Sequence, residues 1–114
     1  MKILAMCQGG HVRSVSAKFL LHYGQMGTPY GQGPLHDVIC CGWQSNSDET
    51  KIMLYQWADK IIVMDENFKK FIPPIYHPKT IVFHVGDDVF GAAFHPELMG
   101  MIWDKYQKNL EHFK

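Results

Sequence analysis

The 114-residue chain carries eleven basic and eleven acidic side chains for a formal net charge of zero, which argues against a nucleic-acid surface. With 46% hydrophobic and 19% charged residues it can bury a core and is not a disordered chain, and its length suits one domain spanning 1–114. No apolar stretch approaches the roughly 20 residues that cross a bilayer, and three cysteines form no disulfide framework, so a cytoplasmic protein without a membrane partner is expected.

Lys2–Met6 reads as a buried strand. Its apolar run is four residues long before Cys7, too short for a signal peptide. Ser14–Tyr23 reads as a helix, with Val15, Phe19, Leu20 and Tyr23 on one face and Gly24 as its stop. The Gly- and Pro-rich span 25–34 is a loop, whose Tyr30 reads as solvent-facing. Leu35–Cys41 is a second strand, ended by Gly42 and Trp43. Asn46 or Ser47 caps the next helix, with Glu49 three residues after Asn46 in capping-box fashion. Lys60–Met64 is a third strand. Asp65 caps a short helix reaching about Phe71, and Pro73, Pro74 and Pro78 stiffen the connector that follows. Thr80–Val85 is a fourth strand, and 86–95 is a loop. Pro96 suits the first position of a final helix, on which Leu98, Met101, Ile102, Tyr106, Leu110 and Phe113 repeat at helical spacing.

Strands alternating with helices predict a three-layer α/β/α fold around a four-stranded parallel sheet, ordered 2-1-3-4. In that order the carboxyl end between the first and third strands is the topological switch point, where ligands bind. The segment Cys7-Gln8-Gly9-Gly10-His11-Val12-Arg13-Ser14 falls there. A loop leading into a helix N-terminus presents unpaired N–H groups and the positive end of a helix dipole, which suits an anion. Gly9 and Gly10 let the backbone curl around it. The chain holds ten lysines and a single arginine, and that arginine lies six residues after a cysteine. A guanidinium binds phosphate oxygens through parallel N–H bonds, and a thiolate can attack phosphorus. The bland alternative is a buried cysteine and a surface arginine on an ordinary glycine turn.

Cys-x-x-x-x-x-Arg-Ser after a first strand resembles the phosphate-binding loop of low-molecular-weight protein tyrosine phosphatases, and is most similar to the short predicted enzymes of bacteria and phages in that superfamily. The resemblance implies a Cys7 nucleophile, a phosphate-clamping Arg13, a Ser14 hydroxyl bonded to the thiolate, and Gln8, Gly9, Gly10, His11 and Val12 around the phosphate. The family often has Asn where Gly10 stands and a second Cys where Val12 stands. The stretch from Ala58-Asp59 to Met64-Asp65 also resembles the family's strand beside the site.

Phosphoester cleavage needs an acid to protonate the leaving oxygen and then a base to activate water. The loop after the fourth strand offers Asp87 and Asp88 on the same rim as Cys7. Asp87-Asp88-Val89-Phe90-Gly91 is similar to the family's Asp-Pro-aromatic-aromatic-Gly, with Glu97 at a matching later position. That likeness implies Asp87 as general acid/base, Asp88 standing where the family has Pro, and Phe90 as an aromatic wall. Trp43, just past a strand end, is a candidate pocket residue, whereas Trp57 and Trp103 read as core.

The seven histidines show no zinc-helix spacing, so neither metal nor other cofactor is expected. His11 could add positive potential to the loop or simply face solvent. Cys40 and Cys41 read as small buried hydrophobes, and the neighbouring strand also leaves Cys41 a candidate for a protective disulfide with Cys7. The expected activity is phosphomonoester hydrolysis through a phosphocysteine. Its substrate would be a phosphorylated protein, through phosphotyrosine, or a small phosphomonoester, with inorganic phosphate or another oxyanion as product or inhibitor. Three alternatives stand beside it. A phosphocysteine carrier resembling sugar phosphotransferase enzyme IIB would lack the Arg13 and Asp87 pattern. An arsenate reductase would need further thiols, and residues 59–114 hold no cysteine. A non-catalytic phosphate-binding protein fits the Gly10 and Val12 departures.

Overall fold

The computed structural model describes residues 1–7, 13–23, 36–43, 46–85 and 95–113. The elements are β1 (Lys2–Cys7), α1 (Arg13–Tyr23), β2 (Asp37–Gly42), α2 (Asp48–Trp57), β3 (Lys60–Val63), α3 (Glu66–Lys69), a 3-10 helix (Pro74–Lys79), β4 (Thr80–Val82), α4 (Pro96–Lys108) and a second 3-10 helix (Leu110–Phe113). The strands form a parallel sheet ordered β2-β1-β3-β4, the order expected from the alternation of elements.

Strand pleating divides the core. Ile3, Ala5 and Cys7 of β1 join Ile62, Ala17, Leu20 and Leu21 of α1, and Leu98, Ile102 and Tyr106 of α4. Leu4 and Met6 turn the other way, towards Cys41, Tyr55, Ala58, Ile61, Val63 and Ile72. Both faces of β1 are thus buried, as its apolar run requires. Trp103 packs on the first cluster and Trp57 on the second, each half-buried.

Several local expectations shift. The buried side of α1 is Arg13, Ser14, Ser16, Ala17, Leu20 and Leu21, while Val15 and Phe19 are only half-buried. Leu20 is buried as expected, and the small Ser16 and Ala17 are buried where Val15 and Phe19 are not. Ser47, not Asn46, caps α2, accepting from Thr50 N at 3.2 Å. The Asn46 side chain instead reaches back to β2, where its Oδ1 accepts from Gly42 N at 3.1 Å. Asp65 caps α3, with Oδ1 accepting from Asn67 N at 2.9 Å. The β4 ladder stops at Val82, yet Phe83 N still donates to Val63 O and Val85 N to Met64 O. Between them His84 takes a positive φ of 23°, a turn that breaks the regular ladder. The last helix ends at Lys108 with Asn109 as C-cap, so Phe113 reaches the core from a separate 3-10 turn.

Candidate active site

Parallel pairing brings the carboxyl ends of β1, β2 and β3 to one edge. In register, Cys7 lies beside Gly42, and Met6 lies beside both Cys41 and Val63. Trp43 continues from β2 and its N–H donates to Cys7 O at 3.2 Å. Asp65 and α3 continue from β3 on the other side. The central strand therefore delivers Cys7 between two flanking turns.

Cys7 is 1% exposed and Ser14 fully buried. The Cys7 thiol donates to Ser14 Oγ at 3.2 Å. Should the thiol ionise, the same contact reverses and the Ser14 hydroxyl donates to the sulfur anion, a charge-assisted bond stronger than the neutral one. Ser14 reaches Cys7 because it lies in the first turn of α1, whose eleven residues aim their N-terminal dipole at the end of β1. Arg13 opens that helix and is 2% exposed. Its guanidinium carbon lies 5.5 Å from the centroid of the Phe68 ring.

An aromatic group extends from there. Phe68 lies 6.2 Å from Trp43 and 6.4 Å from Phe71, and Trp43 lies 5.6 Å from Phe71, as ring-centroid distances. Lys51 Nζ donates to Trp43 O at 3.4 Å and lies 5.7 Å from the Trp43 ring centroid. Phe71 is exposed. The group thus runs from the buried Arg13 out to the surface.

Four expected site residues, Cys7, Arg13, Ser14 and Trp43, come to this edge. Gln8, Gly9, Gly10, His11, Val12, Asp87, Asp88 and Phe90 lie outside the described residues. Phe68, Asn46 and Lys51 were not anticipated in these roles. Phe68 was legible only as an apolar residue of a short helix, since no local spacing links it to Arg13.

Cys41 is buried, as its favoured reading as a small hydrophobe expects, and the secondary reading, a disulfide with Cys7, is not formed. Cys41 pairs in register with Met6 and packs with it on the face away from the Cys7 cluster. None of the three cysteines is in a disulfide, and the Cys41 thiol donates to Asn46 Oδ1 at 3.3 Å. Burial pushes this thiol above its ordinary range, against the opposing pull of Lys51. A groove of about 590 Å³ along β2, lined by Val15, Phe19, Ile39 and Trp57 among others, contains none of Cys7, Arg13 and Ser14.

No protein-family model and no curated protein matches this sequence. Solved structures do. The YwlE arginine phosphatase from Geobacillus stearothermophilus superposes with a TM-score of 0.61 at 21% identity, covering 96% of this chain and 92% of that one. The tyrosine phosphatase AmsI of Erwinia amylovora gives 0.63 at 16% identity, covering 96% and 91%. The tyrosine phosphatase Wzb from Escherichia coli K30, solved with sulphate, gives 0.63 at 14% identity, covering 99% and 98%. At these identities the likeness establishes the fold. This chain has the fold of bacterial low-molecular-weight tyrosine phosphatases, in keeping with the resemblance of its Cys7–Ser14 segment.

Proposed function

We propose that this protein is a phosphomonoester hydrolase that works through a phosphocysteine on Cys7. The observation that carries the reading is the 3.2 Å contact between Cys7 Sγ and Ser14 Oγ at the carboxyl end of the central strand, with Arg13 opening the helix beside it. The structural neighbours, which are tyrosine and arginine phosphatases, support hydrolysis over non-catalytic phosphate binding.

In this reading the Cys7 thiolate attacks phosphorus in line, so an S–P bond forms as the P–O bond to the leaving group breaks. Arg13 and the N–H groups of 8–12 hold the phosphoryl oxygens through a loose transition state. Asp87 protonates the leaving oxygen, then as carboxylate takes a proton from the water that attacks the phosphocysteine. The S–P bond breaks, phosphate departs, and the sulfur leaves as a thiolate bonded by the Ser14 hydroxyl. Trp43 and Phe90 flank the leaving group. The chain acts as one domain in the cytoplasm, on phosphotyrosine in proteins or on a small phosphomonoester.

Turnover of p-nitrophenyl phosphate, and of phosphotyrosine and phosphoarginine peptides, tests this. Cys7→Ser and Arg13→Ala should abolish hydrolysis of every substrate, and Asp87→Asn should lower kcat by about 100-fold or more. A Cys7→Ser protein that still turns over would overturn the nucleophile. Wild-type protein that binds phosphate and hydrolyses nothing would make it a phosphate-binding protein.

A further inference from the structure

Arg13 and Phe68 come from opposite sides of the sheet. Arg13 opens α1, on the face that holds Cys7, whereas Phe68 packs with Leu4, Met6 and Cys41 on the other. Their contact therefore joins elements from the two faces of the sheet. The guanidinium carbon lies 5.5 Å from the ring centroid, inside the roughly 6 Å range of a cation–π interaction.

We propose that Phe68 is a positioning residue that fixes the Arg13 guanidinium for phosphate. A ring engages the cation electrostatically through its π face. A carboxylate in its place would occupy the N–H edge and cancel the charge that a phosphate must meet. An aromatic partner stabilises the nearly buried guanidinium and itself competes for none of the N–H groups that an oxyanion would use. Because Arg loses side-chain freedom whenever it binds, a partner that restricts it beforehand strengthens anion binding.

Phe68 is itself held. Asp65 caps α3 through Asn67 N, and Asp65 O accepts from Phe68 N at 3.1 Å. The Trp43 and Phe71 rings buttress its sides. The aromatic group thus supports the ring against which Arg13 is set.

The kinetic part of this assignment rests on the proposed hydrolase reading, and the binding part does not. The test is calorimetric titration of inorganic phosphate into wild type, Phe68→Leu, Phe68→Tyr and Phe68→Trp, with p-nitrophenyl phosphate kinetics alongside. Phe68→Leu keeps an apolar side chain and removes the ring. It should raise the phosphate Kd by about 3- to 10-fold and KM by a similar factor, from the loss of a cation–π contact. Phe68→Tyr and Phe68→Trp, as two independent ring-bearing variants, should stay within about 2-fold of wild type, because the π face is retained. A Phe68→Leu protein that melts earlier but binds phosphate as wild type does would reduce Phe68 to a packing residue and overturn the proposal. So would a folded ring-bearing variant as weak as Phe68→Leu. Wild-type protein that binds phosphate without hydrolysing ester would defeat the hydrolase reading, and the Kd series would still decide Phe68.

Discussion

Cys7 and Ser14 are seven positions apart in the chain and meet side chain to side chain, Sγ to Oγ at 3.2 Å, both almost wholly buried. Parallel pairing sets Cys7 at the end of β1, and Ser14 meets it from the first turn of α1. In the proposed reaction this hydroxyl matters most when the sulfur must leave phosphorus as an anion. Ser14→Ala removes that donor. Hydrogen bonds to charged groups contribute about 1.5–3 kcal/mol, so kcat should fall by roughly 10- to 100-fold. Rapid-quench kinetics should show a burst of released phenol followed by slow turnover. Equal loss in the burst and in the steady state would mean that Ser14 serves formation of the intermediate instead.

Asp65 acts one step further from the chemistry. Its carboxylate accepts from Asn67 N at the start of the four-residue α3 that carries Phe68. Asp65→Ala should cost about 1 kcal/mol of stability, as lost N-caps do, and should weaken phosphate binding by loosening Phe68. Asp65→Asn retains a cap and should restore both. Urea unfolding and phosphate titration on the two variants check this, and unchanged phosphate binding in Asp65→Ala would disconnect α3 from Arg13.

His36 sets a pH dependence for folding. Its Nε2 is hydrogen-bonded to the Tyr106 hydroxyl at 3.0 Å, and burial, reinforced by the charge of the N-terminus, pushes its pKa below the ordinary imidazole value of 6.5. The folded chain thus holds fewer protons at this site than the unfolded chain. The contribution is complete above about pH 6.5 and is lost as pH falls through the folded-state value. The urea midpoint should therefore fall between pH 7 and pH 5, and His36→Gln should reduce that slope. A variant with an unchanged slope would assign the effect to other groups.

Lys79 ties the 3-10 helix to the end of α2. Its Nζ donates to Tyr55 O and to Ala58 O, each at 2.6 Å, carbonyls that α2 cannot satisfy at its own terminus. Lys79→Met keeps much of the stem and removes both bonds. It should destabilise the fold by about 2–4 kcal/mol, given charge-assisted bonds to partly buried acceptors. Denaturant unfolding reads this directly, and a loss under about 1 kcal/mol would show that water replaces the ammonium.

The layout of the sheet was legible because alternation and length distinguish buried strands from amphipathic helices, and parallel strands joined through right-handed crossover helices suit the order β2-β1-β3-β4. Cys7, Arg13 and Ser14 were legible as one group because strand, loop and helix are consecutive. Trp43 was legible from its place after a strand end. Contacts depending on three-dimensional register were not. Cys41 looked near Cys7 in a neighbouring strand, but pairing with Met6 sends it to the opposite face. Asn46 looked like a cap, and its amide proved more useful to the turn behind Trp43. The inward side of α1 escaped a reading by hydrophobicity because Ser16 and Ala17, small enough to sit against the sheet, outrank Val15 and Phe19 in burial. Phe68 and Arg13, fifty-five positions apart, meet only because separate elements end at the same sheet edge.

The most direct measurement of the central claim is acid-quench trapping of the protein during incubation with p-nitrophenyl phosphate, followed by peptide mass spectrometry. Phosphate covalently attached to the Cys7 peptide, absent from Cys7→Ala and accumulating further in Asp87→Asn, is the predicted result. Unmodified Cys7 during active turnover, together with a Cys7→Ala protein that hydrolyses at the wild-type rate, would contradict it.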